Sequence, residues 1–170
     1  MDNIVLIGMP AAGKSTVGVL LAKSCMLGFT DTDLLLQGKH GATLCDLIDT
    51  HGEDAFLEME NELLSSLCLH RHVIATGGSA VYGREAMEHL GRIGTLVYLK
   101  LDLTEILRRI GNIHTRGVVL HHRADFAQMY EERCALYEQY AHVTVDCTGL
   151  DAEGCVDAIV CALKKHGEEP

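Results

Sequence analysis

Gly8-Met9-Pro10-Ala11-Ala12-Gly13-Lys14-Ser15 matches the pattern GxxxxGK[ST], and the rest of the chain is read outward from it. Glycines let backbone N–H groups wrap a chain of phosphates, and the N-terminus of a following helix adds partial positive charge. In this arrangement the Lys14 ammonium reaches the β- and γ-phosphates, and the Ser15 hydroxyl ligates magnesium. The flanks fit. Asn3–Ile7 is a short apolar run rich in β-branched residues, which reads as a buried strand. Lys14–Cys25 carries Val17, Leu20, Leu21 and Cys25 at helical spacing. ATP and Mg²⁺ are therefore the expected cofactors.

Beyond this unit, strands alternate with helices. Gly28–Asp33 reads as a weak second strand, and Thr43 caps a helix through Thr50. Glu53–Leu69 is the clearest helix, with Phe56, Met59, Leu63 and Leu67 on one face. His72–Thr76 is a strand that ends at Gly77-Gly78, and Thr95–Leu101 is another. A helix from Asp102 or Thr104 through Ile110, a helix over Asp125–Tyr140, a strand over His142–Asp146 and a helix over Asp151–Lys165 complete the pattern. Such alternation indicates an α/β fold with a parallel sheet covered on both faces. Ligands of such sheets sit beyond the carboxyl ends of the strands.

Bulk properties narrow the function. A chain of 170 residues is one domain of ordinary size and can bury a core without disulfides or metal. Apolar residues at 48% and charged residues at 22% exclude a disordered chain. The net charge of −10 argues against nucleic acid or an anionic membrane as partner. Seven cysteines, odd in number and never spaced as CxxC, read as small hydrophobes in a reducing cell rather than a disulfide or zinc framework. No charged segment followed by an apolar one opens the chain, so the expected compartment is the cytoplasm.

Three further features carry chemistry. Asp31-Thr32-Asp33 closes the second strand, and residues two apart on a strand point the same way. Both carboxylates would then face the phosphate loop, one for magnesium and one for an acceptor hydroxyl. Gly77-Gly78, directly after a strand, permit close approach of backbone to ligand. Between Ile106 and Ala124 there are four arginines (108, 109, 116 and 123) and no acid, a local reversal in an acidic chain. Gly111 and Gly117 mark a mobile loop there, and phosphoryl transfer uses such segments to cover the nucleotide.

In this order the pieces resemble the shikimate kinase family, small P-loop kinases related to nucleoside monophosphate kinases. The likeness runs over essentially the whole chain. It covers the phosphate loop at 8–16, Asp31-Thr32-Asp33, Gly52–Phe56 with Glu60, and Ala75–Gly78. It continues through Val97-Tyr98-Leu99, Arg109, Arg116, Glu132-Arg133 and Leu136-Tyr137. The resemblance implies a P-loop NTPase-like three-layer fold, a five-stranded parallel sheet between helices, in a single kinase domain spanning residues 1–170. A mobile lid at about 111–124 and an acceptor region at about 33–62 come with it. The nucleotide would lie against Gly8, Ala11, Ala12, Gly13, Lys14, Ser15 and Thr16, with Arg109 packed on adenine. Lys14 and Arg116 would hold the transferring phosphate, and Ser15 with Asp31 the magnesium. Asp33 would orient or deprotonate the acceptor hydroxyl. Gly77 and Gly78 would offer amides to the acceptor, and Arg133 would grip its carboxylate. The expected partner is thus a small hydroxyl-bearing molecule, bound by a monomer.

Three positions depart from the family pattern. Leu57 stands where an arginine normally helps bind the carboxylate, Ser79 replaces a third glycine, and Gly117 follows the lid arginine in place of proline. Arg84, just past the glycine pair, is a candidate to replace the missing arginine. Leu57 also leaves room for another acceptor: a different hydroxy acid, a polyol or a hydroxyl amino acid. The reading of another class is a module that holds nucleotide and transfers nothing.

Overall fold

The computed structural model describes residues 3–110 and 123–167, the latter with side chains from residue 126 onward. Five strands form one parallel sheet: β1 (Asn3–Ile7), β2 (Gly28–Asp31), β3 (His72–Ala75), β4 (Thr95–Lys100) and β5 (Val143–Asp146). Their order is β2-β3-β1-β4-β5. β1 is central, which explains its unbroken apolar run. All five of its residues are buried, because helices cover both faces of the sheet.

The helices are α1 (Lys14–Ser24), α2 (Thr32–His40), α3 (Leu44–His51), α4 (Glu53–Ser65), α5 (Arg84–Ile93), α6 (Leu103–Ile110), α7 (Arg123–Tyr140) and α8 (Ala152–Lys165). A single 3₁₀ turn covers Ala80–Tyr82. The β1-α1-β2 crossover runs toward one sheet edge and β3-α5-β4 toward the other. Right-handed crossovers then put α1 and α5 on opposite faces. α1 packs on α8, and α4 packs on α5, so the sheet lies between two helical layers. None of the described helices is long and apolar enough to cross a membrane. All seven cysteines are free thiols.

The main core joins both layers through the sheet, and Tyr98 of β4 stacks on Tyr137 of α7 with ring centroids 5.1 Å apart. A smaller cluster of Leu36, Leu47 and Phe56 ties α2, α3 and α4 together at one end. Asn3 is the notable polar member of the interior. Its side chain is fully buried, donates to the Leu69 and Ile93 carbonyls at 2.7 Å each, and accepts from the His72 amide at 2.9 Å. One amide group thus pins the entry of β1 to the chain segments that enter β3 and β4.

Two departures from the expected boundaries have a local cause. The second strand stops at Asp31 rather than Asp33, because the Asp31 carboxylate caps a helix by accepting from the Asp33 and Leu34 amides at 3.0 and 3.4 Å. The expected helix 53–69 ends at Ser65, where the Ser66 hydroxyl turns back onto the Leu63 carbonyl at 2.8 Å. α2 and α5 carry no assignment in the sequence reading. In α2 the run Leu34-Leu35-Leu36 hides the period, since only Leu36 is buried. Most of the expected lid, with Arg116, lies outside the described residues, and its last two residues, Arg123 and Ala124, begin α7.

Asn3→Ala removes three hydrogen bonds and leaves buried groups unpaired, so it should cost about 3 kcal/mol in urea unfolding. A loss below about 0.5 kcal/mol would contradict this role for Asn3.

Candidate active site

The phosphate loop is shaped by close packing. Gly8 leaves β1 at φ +145°, and a Cβ there would lie 2.8 Å from the backbone carbonyl oxygen of Leu99. Glycine alone fits this conformation and this gap. The loop then takes left-handed backbone at Ala11 (φ 64°) and Gly13 (φ 94°) and enters α1 with no side-chain cap. The first amides of a helix have no partner within it, so this end offers donors and partial positive charge to an anion. Ala12 is buried under the loop, Ser15 is half-buried in the first turn, and Thr16 is exposed beside it.

Lys14 is buried, and its Nζ donates to the carbonyls of Gly8 at 2.7 Å and Met9 at 2.9 Å. Burial pulls its pKa down to about 8; the Arg133 charge acts in the same direction, while the Asp33, Asp31 and Glu60 carboxylates oppose it. Those same names locate the site. Groups from α1, α2, α4 and α7 converge where β1, β2 and β3 end.

Asp31 and Asp33 both lie near Lys14, but not for the reason the strand reading offered. Asp31 caps α2 through Oδ1, while Asp33 sits in the first turn of that helix. Asp33 Oδ1 and Glu60 Oε1 both press on Gly77, where a Cβ would fall 2.8 Å from the former. A Cβ on Gly78 would meet the Pro10 ring at 2.7 Å. The glycine pair thus lets the β3 loop slide between the phosphate loop and two carboxylates. Tyr137 fixes that loop from α7 by donating its hydroxyl to the Gly78 carbonyl at 2.6 Å.

Glu60 is the group the sequence reading left without a role. It is buried, and the Ser79 hydroxyl donates to its Oε2 at 2.6 Å. Burial raises its pKa to about 7; Asp33 adds to the rise, while the Ser79 hydrogen bond, Arg133 and Lys14 counter it. A signal was available. Phe56, Glu60 and Leu64 are the buried positions of α4 and lie four apart, which puts a carboxylate on an apolar stripe.

Arg133 is buried on α7, close enough to Lys14 and Glu60 to act on both. Its Nε donates to the Tyr82 hydroxyl at 3.3 Å, and its guanidinium carbon lies 5.2 Å from the Tyr82 ring centroid. Arg109 reaches the phosphate loop from α6. Its Nη1 contacts the Ala11 and Ala12 carbonyls at 3.4 and 3.5 Å, and its Nε pairs with Glu105 at 2.7 Å. Arg84 does not take the place of the missing arginine. Its side chain is 84% exposed and pairs with Glu88 along α5. Leu57 extends the small apolar cluster around Leu36, Leu47 and Phe56.

Between the ordinary carboxylate value of 4.5 and about 7, folded Glu60 holds a proton that the unfolded chain has released. Its contribution to stability therefore falls as pH rises through that window. Glu60→Gln abolishes the titration. Urea unfolding at about pH 5 and about pH 8 should show the variant gaining on the wild type at the higher pH. An offset between the two proteins that does not change with pH would contradict the burial of this carboxyl.

Comparison with known proteins agrees with this geometry. The family model described as shikimate kinase matches residues 10–164. A shikimate kinase of Clostridium botulinum is 36% identical over 169 residues, covering 97% of this chain and 98% of that protein. The structure of the Acinetobacter baumannii shikimate kinase in complex with shikimate superposes with a TM-score of 0.86 at 28% identity, covering 97% of this chain and 94% of that one. A sugar kinase from Janibacter sp. shares the fold alone, with a TM-score of 0.62 at 12% identity over 96% of this chain and 95% of that one. Fold, site and sequence together make this chain a member of the shikimate kinase family of ATP-dependent small-molecule kinases.

Proposed function

We propose that this protein transfers the γ-phosphoryl group of ATP to the 3-hydroxyl of shikimate, giving shikimate 3-phosphate and ADP. One observation carries the reading. The two buried cations among the described residues, Lys14 and Arg133, meet two carboxylates, Asp33 and Glu60, around the Gly77-Gly78 loop. An anionic donor at one end and an anionic hydroxy acid at the other suit that charge distribution.

The loop amides of 8–16 hold the polyphosphate, and Lys14 exchanges its two loop carbonyls for phosphate oxygens. Ser15 and Asp31 would hold magnesium. A hydroxyl and a carboxylate are hard oxygen donors of the kind that would hold Mg²⁺ beside substrate phosphates. When bound, the ion neutralises charge on the β- and γ-phosphates. Asp33 receives the hydrogen bond of the acceptor hydroxyl and takes its proton as the new O–P bond forms and the bond to the β-phosphate oxygen breaks. The amides of Gly77 and Gly78 position the acceptor ring, and Arg133 binds its carboxylate. Arg109 borders the adenine end. Arg116 and the lid at about 111–124 join as charge neutraliser and cover on the strength of the resemblance.

The chain works as one domain and as a monomer in the cytoplasm, with a small molecule as its partner. A net charge of −10 supports the exclusion of nucleic acid and anionic membrane. A polyol acceptor would have no use for the buried Arg133, and a non-catalytic binder none for Asp33.

Coupled measurement of ADP release should show turnover that depends on shikimate. Asp33→Asn should lower kcat by about 100-fold or more and leave the KM for ATP near its wild-type value. Absence of shikimate-dependent ADP release from the wild type would overturn the reading.

A further inference from the structure

With Leu57 where the family pattern has an arginine, Arg133 is the one buried guanidinium among the described residues. Arg133 and Lys14 are the buried cations among the described residues, and Lys14 belongs to the phosphate loop. Arg84 points to solvent. A single long side chain has many rotamers, and ordering them opposes binding. Something must hold Arg133 in place before the acceptor arrives.

Resting on the function proposed above, we propose that Tyr82 is a positioning residue for Arg133. It fixes the guanidinium that receives the acceptor's carboxylate and offsets the change from arginine to Leu57. Three observations carry this. Tyr82 ends the 3₁₀ turn that follows Gly77-Gly78-Ser79 directly, so it is tied to the acceptor loop by two residues of chain, both of them buried: Ala80 and Val81. α7, which bears Arg133, packs against this turn. Tyr82 holds the guanidinium in two ways at once: its hydroxyl accepts from Nε at 3.3 Å, and its ring lies 5.2 Å from the guanidinium carbon.

Each contact removes a different freedom. The ring sets the plane of the guanidinium by cation–π attraction. The hydroxyl sets its rotation within that plane. With the Nε edge facing Tyr82, the terminal nitrogens form the edge that meets a carboxylate in paired hydrogen bonds. The phenol oxygen accepts through a lone pair and keeps its own proton to donate. Tyr82 is half-buried, so replacing it leaves the core intact.

Steady-state kinetics on the full chain test this. Wild type, Tyr82→Phe and Tyr82→Leu are compared on shikimate and on its uncharged methyl ester, with KM for ATP as a control. Tyr82→Phe should raise the KM for shikimate about fivefold by losing one hydrogen bond. Tyr82→Leu should raise it about twentyfold by losing the ring as well. In both variants kcat and the KM for ATP should stay near wild type, and the KM for the methyl ester should not move. Unchanged KM values for shikimate, or equal losses on acid and ester, would overturn the proposal. A wild type inert to shikimate would overturn the function itself, and this proposal with it, before any variant is compared.

Discussion

A buried ammonium sets the terms for everything around it. Lys14 sits at the positive end of α1, is desolvated, and has the Arg133 guanidinium nearby. Left alone, this concentration of positive charge would be costly. Two loop carbonyls and three carboxylates, from Asp31, Asp33 and Glu60, make it tolerable. In the proposed function a polyphosphate would replace the two carbonyls and supply the charge they lack. The sheet order enforces the arrangement. With β3 and β4 flanking β1, the phosphate loop has the Gly77-Gly78 loop on one side and the Leu99 carbonyl on the other.

The acceptor half is built from contacts distant in sequence. Tyr137 holds the Gly78 carbonyl, Ser79 holds Glu60, and Tyr82 holds Arg133. Two of these involve departures from the family pattern or compensate for one. Ser79 stands where a glycine is usual and gives the buried Glu60 carboxyl a donor that favours its charged form. Leu57 packs against the small apolar cluster that ties α2, α3 and α4 together. Among the described residues Arg133 is the one buried arginine, and Tyr82 is its hydrogen-bond partner.

Local rules made much of this visible in the sequence. The apolar run of β1, the glycines of the loop and the period of α4 each reflect physics within one turn or one strand. Asp31 and Asp33 both act on the Lys14 charge, yet the strand geometry that would have pointed them the same way is replaced by the Asp31 cap and the helix it starts. Leu34 and Leu35 lie exposed on α2, so hydrophobic pattern misleads there. The partners of Arg133 and Gly78 lie 51 and 59 residues away, and no local period encodes them. Glu60 was readable as a carboxylate on an apolar face, but its partner Ser79 required the fold.

Titration calorimetry of the full chain with MgADP at about pH 8, in two buffers of different ionisation enthalpy, tests the central claim. Phosphate binding should restore the depressed Lys14 pKa toward its usual range, so the account predicts one saturable site with net proton uptake. No saturable heat, or binding without proton uptake, would contradict it.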